Sequence, residues 1–428
     1  MQLTRRLFGG LVAASAMWAA LPAIGQEFDG VTLVHFTQGG AADRIAGYKA
    51  LAEDFTAETG AKIQIVEQPW EQMQTSIIND ALSGVGNFDV LDIDSGWDGN
   101  VSAWLEPLDD RIARDGFDIG DYQGLNALIA APEGVRYGIP FTARSMVMFY
   151  RQDLLDEAGI SVPQTWEELI EASKALTGDG FYGYVSAGVA IQQEKMFFGA
   201  FKGSTGRSLF SEHGEPQFNN EQGANAIRLL AELYKSAPPG VFAMDIPEVD
   251  QVFLNGEAAF LIEWPDYIQP SLNDPERSKV VGKWGAANPP GPGNYASWYT
   301  AINSASKNKD AAWAWLKHIS SAEASKTLMV DHGIYATRSS VLLDPEIAAS
   351  LPGMEAVVDS AALSFSPNWI GAPWGLEWFI KSADMVAAGV TGQTTPEETV
   401  AAMAELWNEL KKDGEVPEGF SFADLSVN

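Results

Sequence analysis

The feature that most constrains this chain is a regular change of period near its N-terminus. Residues 31–36 carry the apolar, β-branched content of a strand, and residues 44–59 then place Ile45, Tyr48, Leu51, Ala52 and Phe55 on one helical face before Gly60. Residues 62–66 alternate as a strand does, residues 71–82 read as a second helix, and residues 88–93 read as a third strand. A β-α-β-α-β order predicts a parallel sheet with helices on its faces. At 428 residues the chain exceeds one simple core and suits two domains.

The third strand runs into FDVLDIDSGWDGN (residues 88–100), a run of aspartates, a tryptophan and glycines. In open α/β sheets, ligands bind at the C-terminal ends of the strands, which is where this loop falls. A calcium loop needs oxygen ligands at fixed offsets and an acid at its twelfth position. Counted from Asp92, the fifth position is Gly96; counted from Asp94, the third is Gly96 and the twelfth is Leu105. Neither register fits a metal, so the stretch is read as the rim of a pocket. Asp94 has two readings at this stage, a ligand contact or the cap of a helical turn.

Charge and composition remove several classes of function. A formal net charge of −30 disfavours nucleic acid and anionic membrane surfaces as partners. With no cysteine, disulfides, thiolate catalysis and cysteine-held zinc are excluded. The chain has neither a Gly-x-Ser-x-Gly elbow nor a phosphate-binding Gly-x-x-x-x-Gly-Lys loop. His35, His213, His318 and His332 lack metal-ligand spacing and are expected at the surface or at caps. No catalytic residue, metal or cofactor is therefore expected.

The N-terminal MQLTRRLFGGLVAASAMWAALPAIGQ (residues 1–26) resembles a twin-arginine export signal, with Arg5 and Arg6 before a short apolar stretch and small residues at Ala23 and Gly25. Cleavage near Gly25 and Gln26 and a periplasmic mature chain are expected, with no other segment able to cross a bilayer.

Further along, YGIP (137–140), SMVMFYRQDLLDEAGI (145–160) and VPQTWEEL (162–169) follow in close order. Thr165 with Glu168, and Thr395 with Glu398 after it, read as capping boxes; the second helix puts Val400, Met403, Ala404, Trp407 and Leu410 on one stripe. NPPGPGN (288–294) is the clearest irregular joint. These segments, with residues 88–109, VFLNGEAAF (252–260), SKNKDAAW (306–313) and HGIYATRSS (332–340), resemble the family 1 extracellular solute-binding proteins of ABC importers, the maltose-binding-protein-like group. Phe88 and Ala336 stand where that pattern usually has proline.

The resemblance implies an α/β fold of two lobes with a hinge and an interlobe cleft. Lobe one is expected over 28–140 plus 299–335 and lobe two over 141–298 plus 336–428, with crossings near Pro140, near Asn294-Tyr295 and near Tyr335-Ala336. Ligand would sit between the lobes and be buried by their closure. It further implies a monomeric receptor that takes a sugar or polyol to an inner-membrane permease.

A sugar offers apolar C–H faces and a rim of hydroxyls, which aromatic rings and charged or amide groups would satisfy respectively. Aromatics in non-periodic, glycine- or proline-rich loops are the candidates: Trp70, Trp97, Trp264, Tyr267, Trp298, Trp369 and Trp374. Polar candidates are Gln38, Asp43, Asp94, Ser95 and Asp266. Arg144 and Arg338, near crossings, would either hold an anionic ligand or bridge to acids of the chain. A core position is the alternative for Trp264, and Trp378 is expected in the core. An anionic sugar derivative, a polyamine or a phosphate ester remains the alternative ligand.

Overall fold

A computed structural model describes residues 27–39, 42–97, 101–122, 135–293, 296–412, 414–416 and 419–426. The expected export segment, the crossing at Asn294-Tyr295 and the side chains of Asp43 and Ser95 lie outside the described residues. Two sheets form the framework. Their strands in chain order are β1 (Thr32–Gln38), β2 (Lys62–Gln68), β3 (Val90–Asp94), β4 (Gly138–Arg144), β5 (Val147–Arg151), β6 (Tyr182–Val185), β7 (Ala258–Glu263), β8 (Trp284–Ala287) and β9 (Ala296–Ile302).

The first sheet has the order β2-β1-β3-β9-β4 and the second the order β6-β7-β5-β8. β1 runs parallel to β2 and β3, as the alternating pattern predicts. β9 arrives from far along the chain, lies between β3 and β4, and runs antiparallel to both, so the sheet is mixed. The register sets Asp94 opposite Trp298 and Thr142 opposite Trp298. Gln38, Asp94, Trp298 and Arg144 therefore share one edge of the first sheet.

Local chemistry explains the elements. The helix Ala42–Thr59 buries Tyr48, Leu51 and Phe55 and ends at Gly60, whose φ of +82° suits glycine alone. Thr395 and Glu398 close a full capping box on the helix Pro396–Lys411. At the helix Trp166–Leu176, Thr165 accepts from the Glu168 N–H as expected, but the Glu168 carboxylate reaches one residue further back, to the Gln164 N–H at 2.8 Å.

His35 departs from expectation, because it is wholly buried. Trp315 Nε1 donates to its Nδ1 at 3.2 Å, so Nε2 carries the proton and donates to Asp92 Oδ1 at 3.0 Å. Asp92 also accepts from Thr37 (2.6 Å), Tyr48 (3.0 Å) and Thr300 (2.9 Å). Burial opposes its charge, yet His35 and these donors hold its pKa below the ordinary value. The network ties β1, β3, β9 and the first helix together beneath the sheet edge.

The chain passes from β4 to β5 through Ser145-Met146 and returns through the joint at 288–293. That joint lies on the helix Ala190–Thr205 with almost no space between them: a Cβ on Gly291 would stand 2.2 Å from the Gly199 carbonyl oxygen, and one on Gly203 2.6 Å from Gly291 Cα. Glycine is required on both faces of this contact. Around the second sheet, Phe198, Phe210, Trp369, Trp378 and Trp407 form one aromatic cluster with ring centroids 3.8–6.3 Å apart. Trp378 is thus core, as read. Among the described residues no helix is long and apolar enough to cross a membrane.

Candidate functional site

The C-terminal edge of the first sheet carries the first half of the site. Asp94 ends β3; its Oδ2 accepts from Trp70 Nε1 at 3.0 Å and its Oδ1 from the Gly96 N–H at 3.0 Å. Of the two sequence readings of Asp94, the cap is the one seen, since its carboxylate accepts from the Gly96 N–H within the 3-10 turn Ser95–Trp97, and it also fixes the Trp70 ring. Trp70, Trp97 and Trp298 form a continuous wall, with successive centroids 5.7 Å apart. Trp97 and Trp298 are buried in it and Trp70 is half-exposed.

The second half comes from the end of β7. Arg144 Nε approaches Asp266 Oδ1 to 2.7 Å, off the line of a hydrogen bond, and the guanidinium lies over the rings of Trp264 (5.4 Å) and Tyr267 (5.6 Å). Burial works against the Arg144 charge, but Asp266, Tyr267, Asp94 and Glu263 outweigh it and raise its pKa. Burial pushes Asp266 up, and Arg144 and then Arg44 pull it back. At that distance from a guanidinium the carboxylate form is the one we assign at neutral pH. Arg144 ends β4 of the first sheet and pairs with Asp266 just after β7 of the second, so this ion pair joins the two halves.

Three groups in this region were not singled out from the sequence. Arg44, in the first helix, is almost fully buried, lies 5.3 Å from the rings of both Phe141 and Trp298, and has Gln38 Oε1 at 3.4 Å from its Nη1. Lys195 holds its Nζ 5.3 Å from the Trp264 ring. Its pKa is lowered, by burial first, with Asp94 pulling upward and Arg144 pushing down. Glu263 is buried and accepts from the Trp264 N–H at 2.6 Å; burial and then Asp250 raise its pKa well above the usual carboxylate range. Two of the three left a trace: Arg44 shares the buried stripe of Tyr48, Leu51 and Phe55, and Lys195 interrupts a buried run in its helix.

Of the sequence candidates, Gln38, Trp70, Asp94, Trp97, Arg144, Trp264, Asp266, Tyr267 and Trp298 come together here. Three others do not. Trp369 and Trp374 pack into the aromatic core of the second sheet's helices, because their loop turns inward against Trp407. The same loop turns Ile370 outward: a Cβ on Gly96 would come within 3.1 Å of Ile370 Cδ1, so loop 368–371 abuts the Trp97 turn. Arg338 bridges to Asp121 Oδ2 at 3.0 Å and donates to the Ser320 carbonyl at 2.6 Å, which is the bridging alternative of its two readings. Among the described residues no three His, Cys, Asp or Glu groups are placed to hold a metal ion.

Comparison with known proteins places this arrangement. The bacterial extracellular solute-binding protein family matches residues 41–326. The chain belongs to that family. This solute-binding protein is 28% identical over 327 residues to a probable amino-acid ABC transporter periplasmic-binding protein of Sinorhizobium fredii, covering 73% of this chain and 75% of that one. It is 25% identical over 367 residues to a mannitol-binding protein of Pseudomonas aeruginosa, covering 78% and 80%. Among solved structures, an Agrobacterium radiobacter solute-binding protein in complex with ribitol matches at a TM-score of 0.78 and 25% identity, covering 90% of this chain and 99% of that one. A maltose-bound T. maritima protein shares the fold at a TM-score of 0.81, with 24% identity and coverage of 89% and 100%. The two-lobed architecture of the solute-binding protein is the one expected from the resemblance.

Proposed function

We propose that this solute-binding protein is the receptor of an ABC importer for a sugar or sugar alcohol. The observation that carries the reading is the pairing of an aromatic wall (Trp70, Trp97, Trp298) beside Asp94 with a second ring pair (Trp264, Tyr267) around the Arg144–Asp266 ion pair. Rings cover the C–H faces of a polyhydroxylated ligand, and ionised groups take its hydroxyls by charge-assisted hydrogen bonds. The names of the mannitol-binding relative and the ribitol complex support the same class.

In this reading residues 1–26 direct export by the twin-arginine route and are cleaved near Gly25 and Gln26. The mature monomer works in the periplasm and has no enzymatic activity. Lobe one (28–140 plus 299–335) and lobe two (141–298 plus 336–428) close around the ligand, which favours the closed form by its differential affinity. The closed form then docks on an inner-membrane permease. The test is a thermal-shift panel of neutral sugars, polyols, sugar acids, sugar phosphates, polyamines and amino acids. A ligand at a hundredfold excess over Kd stabilises the native state by about 2.7 kcal/mol. A shift with a sugar or polyol supports the reading; a response confined to polyamines or amino acids overturns it.

A further inference from the structure

Arg44 stands out within the cleft. The residue is 2% exposed, its Nε has no hydrogen-bond partner, and the neutral Gln38 amide oxygen is its one hydrogen-bond partner among the described residues. No described carboxylate comes within ion-pair distance of it. Asp92, a buried acid of the same lobe, has both oxygens engaged by four donors inside the fold, and both oxygens of Asp94 accept from Trp70 and Gly96. Asp266, the acid that faces it from the other lobe, is already paired with Arg144. Buried charges are normally paired, and one left without a partner is costly. The rings of Phe141 and Trp298 flank the guanidinium and orient its fork. Lys195 lies against the Trp264 ring, with no described acid within ion-pair distance.

We propose that the ligand carries a carboxylate, seated on Arg44, and that it is a sugar acid of the aldonate or uronate type. This rests on the sugar-binding reading above. A planar, singly charged carboxylate matches one guanidinium fork. A phosphate dianion would bring more charge against Asp94 and Asp266 than this seat offsets. The aromatic wall and Asp94 take the polyol portion, while Lys195 draws the acid from the opposite lobe. A free amino acid presents the same carboxylate without the hydroxyl rim, and the experiment separates the two.

The experiment is titration calorimetry of the purified full chain with gluconate, galacturonate and further aldonates and uronates. Sorbitol, galactose, glucose 6-phosphate and a set of amino acids are titrated in parallel, and the measurements are repeated on Arg44→Gln and Arg44→Lys. The expected result is a sugar acid bound at least tenfold more tightly than its neutral counterpart. Arg44→Gln abolishes that preference while still binding the neutral sugar, and Arg44→Lys restores part of it. Unchanged circular dichroism and melting behaviour show that the variants fold. Neutral sugars bound as well as the acids, or a preference unaffected in Arg44→Gln, would overturn the carboxylate seat and leave the sugar receptor standing. Preference for the sugar phosphate overturns it too. Tight, Arg44-dependent binding of an amino acid would keep the carboxylate seat and overturn the sugar reading.

Discussion

Asp92→Asn tests the network that holds the rim in place. The carboxylate is fully buried and receives His35, Thr37, Tyr48 and Thr300 at 2.6–3.0 Å. Hydrogen bonds to a charged group contribute about 1.5–3 kcal/mol each and neutral ones about 0.5–1.5. The amide keeps the shape but weakens four bonds by roughly 1 kcal/mol apiece, and sets two N–H groups against hydroxyls that must rotate to accept. His35 cannot adapt by shifting its proton to Nδ1, because Trp315 already donates there. Relief from burying a charge offsets part of this, which leaves a net loss of about 3 kcal/mol at neutral pH.

For a cooperative unit the size of one lobe, that is a fall in Tm of roughly 6–12 °C, measured by calorimetry. Asp92 has a lowered pKa, so its stabilisation is complete above the ordinary value of 3.8 and is lost as pH falls through the lower folded value. The gap between wild type and variant should therefore close on acidification. Asp94 keeps its own partners, so ligand affinity should change less than about threefold. A loss below about 1 kcal/mol at pH 7, or a gap that widens in acid, would refute the reasoning.

Other expectations concern the site and its surroundings. Trp70→Phe keeps a ring but removes the donor to Asp94, and should weaken sugar binding by roughly tenfold in titration calorimetry, for a loss of about 1.4 kcal/mol. Arg338→Met breaks the bonds to Asp121 and Ser320, and should lower stability by about 2–4 kcal/mol in urea unfolding with Kd unchanged, because this arginine lies away from the cleft. Glu263 is raised by burial, so its contribution is complete below the ordinary pKa and falls as pH rises through the folded value. Glu263→Gln should therefore gain stability relative to wild type as pH rises above the ordinary value of 4.5 in a melting series. Gly291→Ala has no room against Gly199 and should shift the 288–293 joint, measured as a loss of affinity larger than the loss of stability.

Strands and helices were readable where period and capping are local: Gly60 stops one helix near the N-terminus, and Thr395 starts another near the C-terminus. The place of β9 was not, since nothing within residues 296–302 says that they will run antiparallel between β3 and β4. The same limit governs the site. Trp97, Trp264, Trp369 and Trp374 all occupy irregular segments rich in glycine or proline, and the sequence treats them alike. Tertiary structure divides them, sending the first two toward the sheet edges and the last two into the cluster around Trp407. Arg44 failed in the opposite direction. It lies on the buried face of a regular helix, where charge is normally unfavourable, and not in a loop, where binding groups are usually found. A cation on an otherwise apolar helical stripe is a conflict between local pattern and burial, and such conflicts concentrate where function is served. Arg44 and Lys195 both show that conflict, from opposite lobes. The charged side chains that break the amphipathic pattern are therefore a better guide to this cleft than the aromatics that satisfy it.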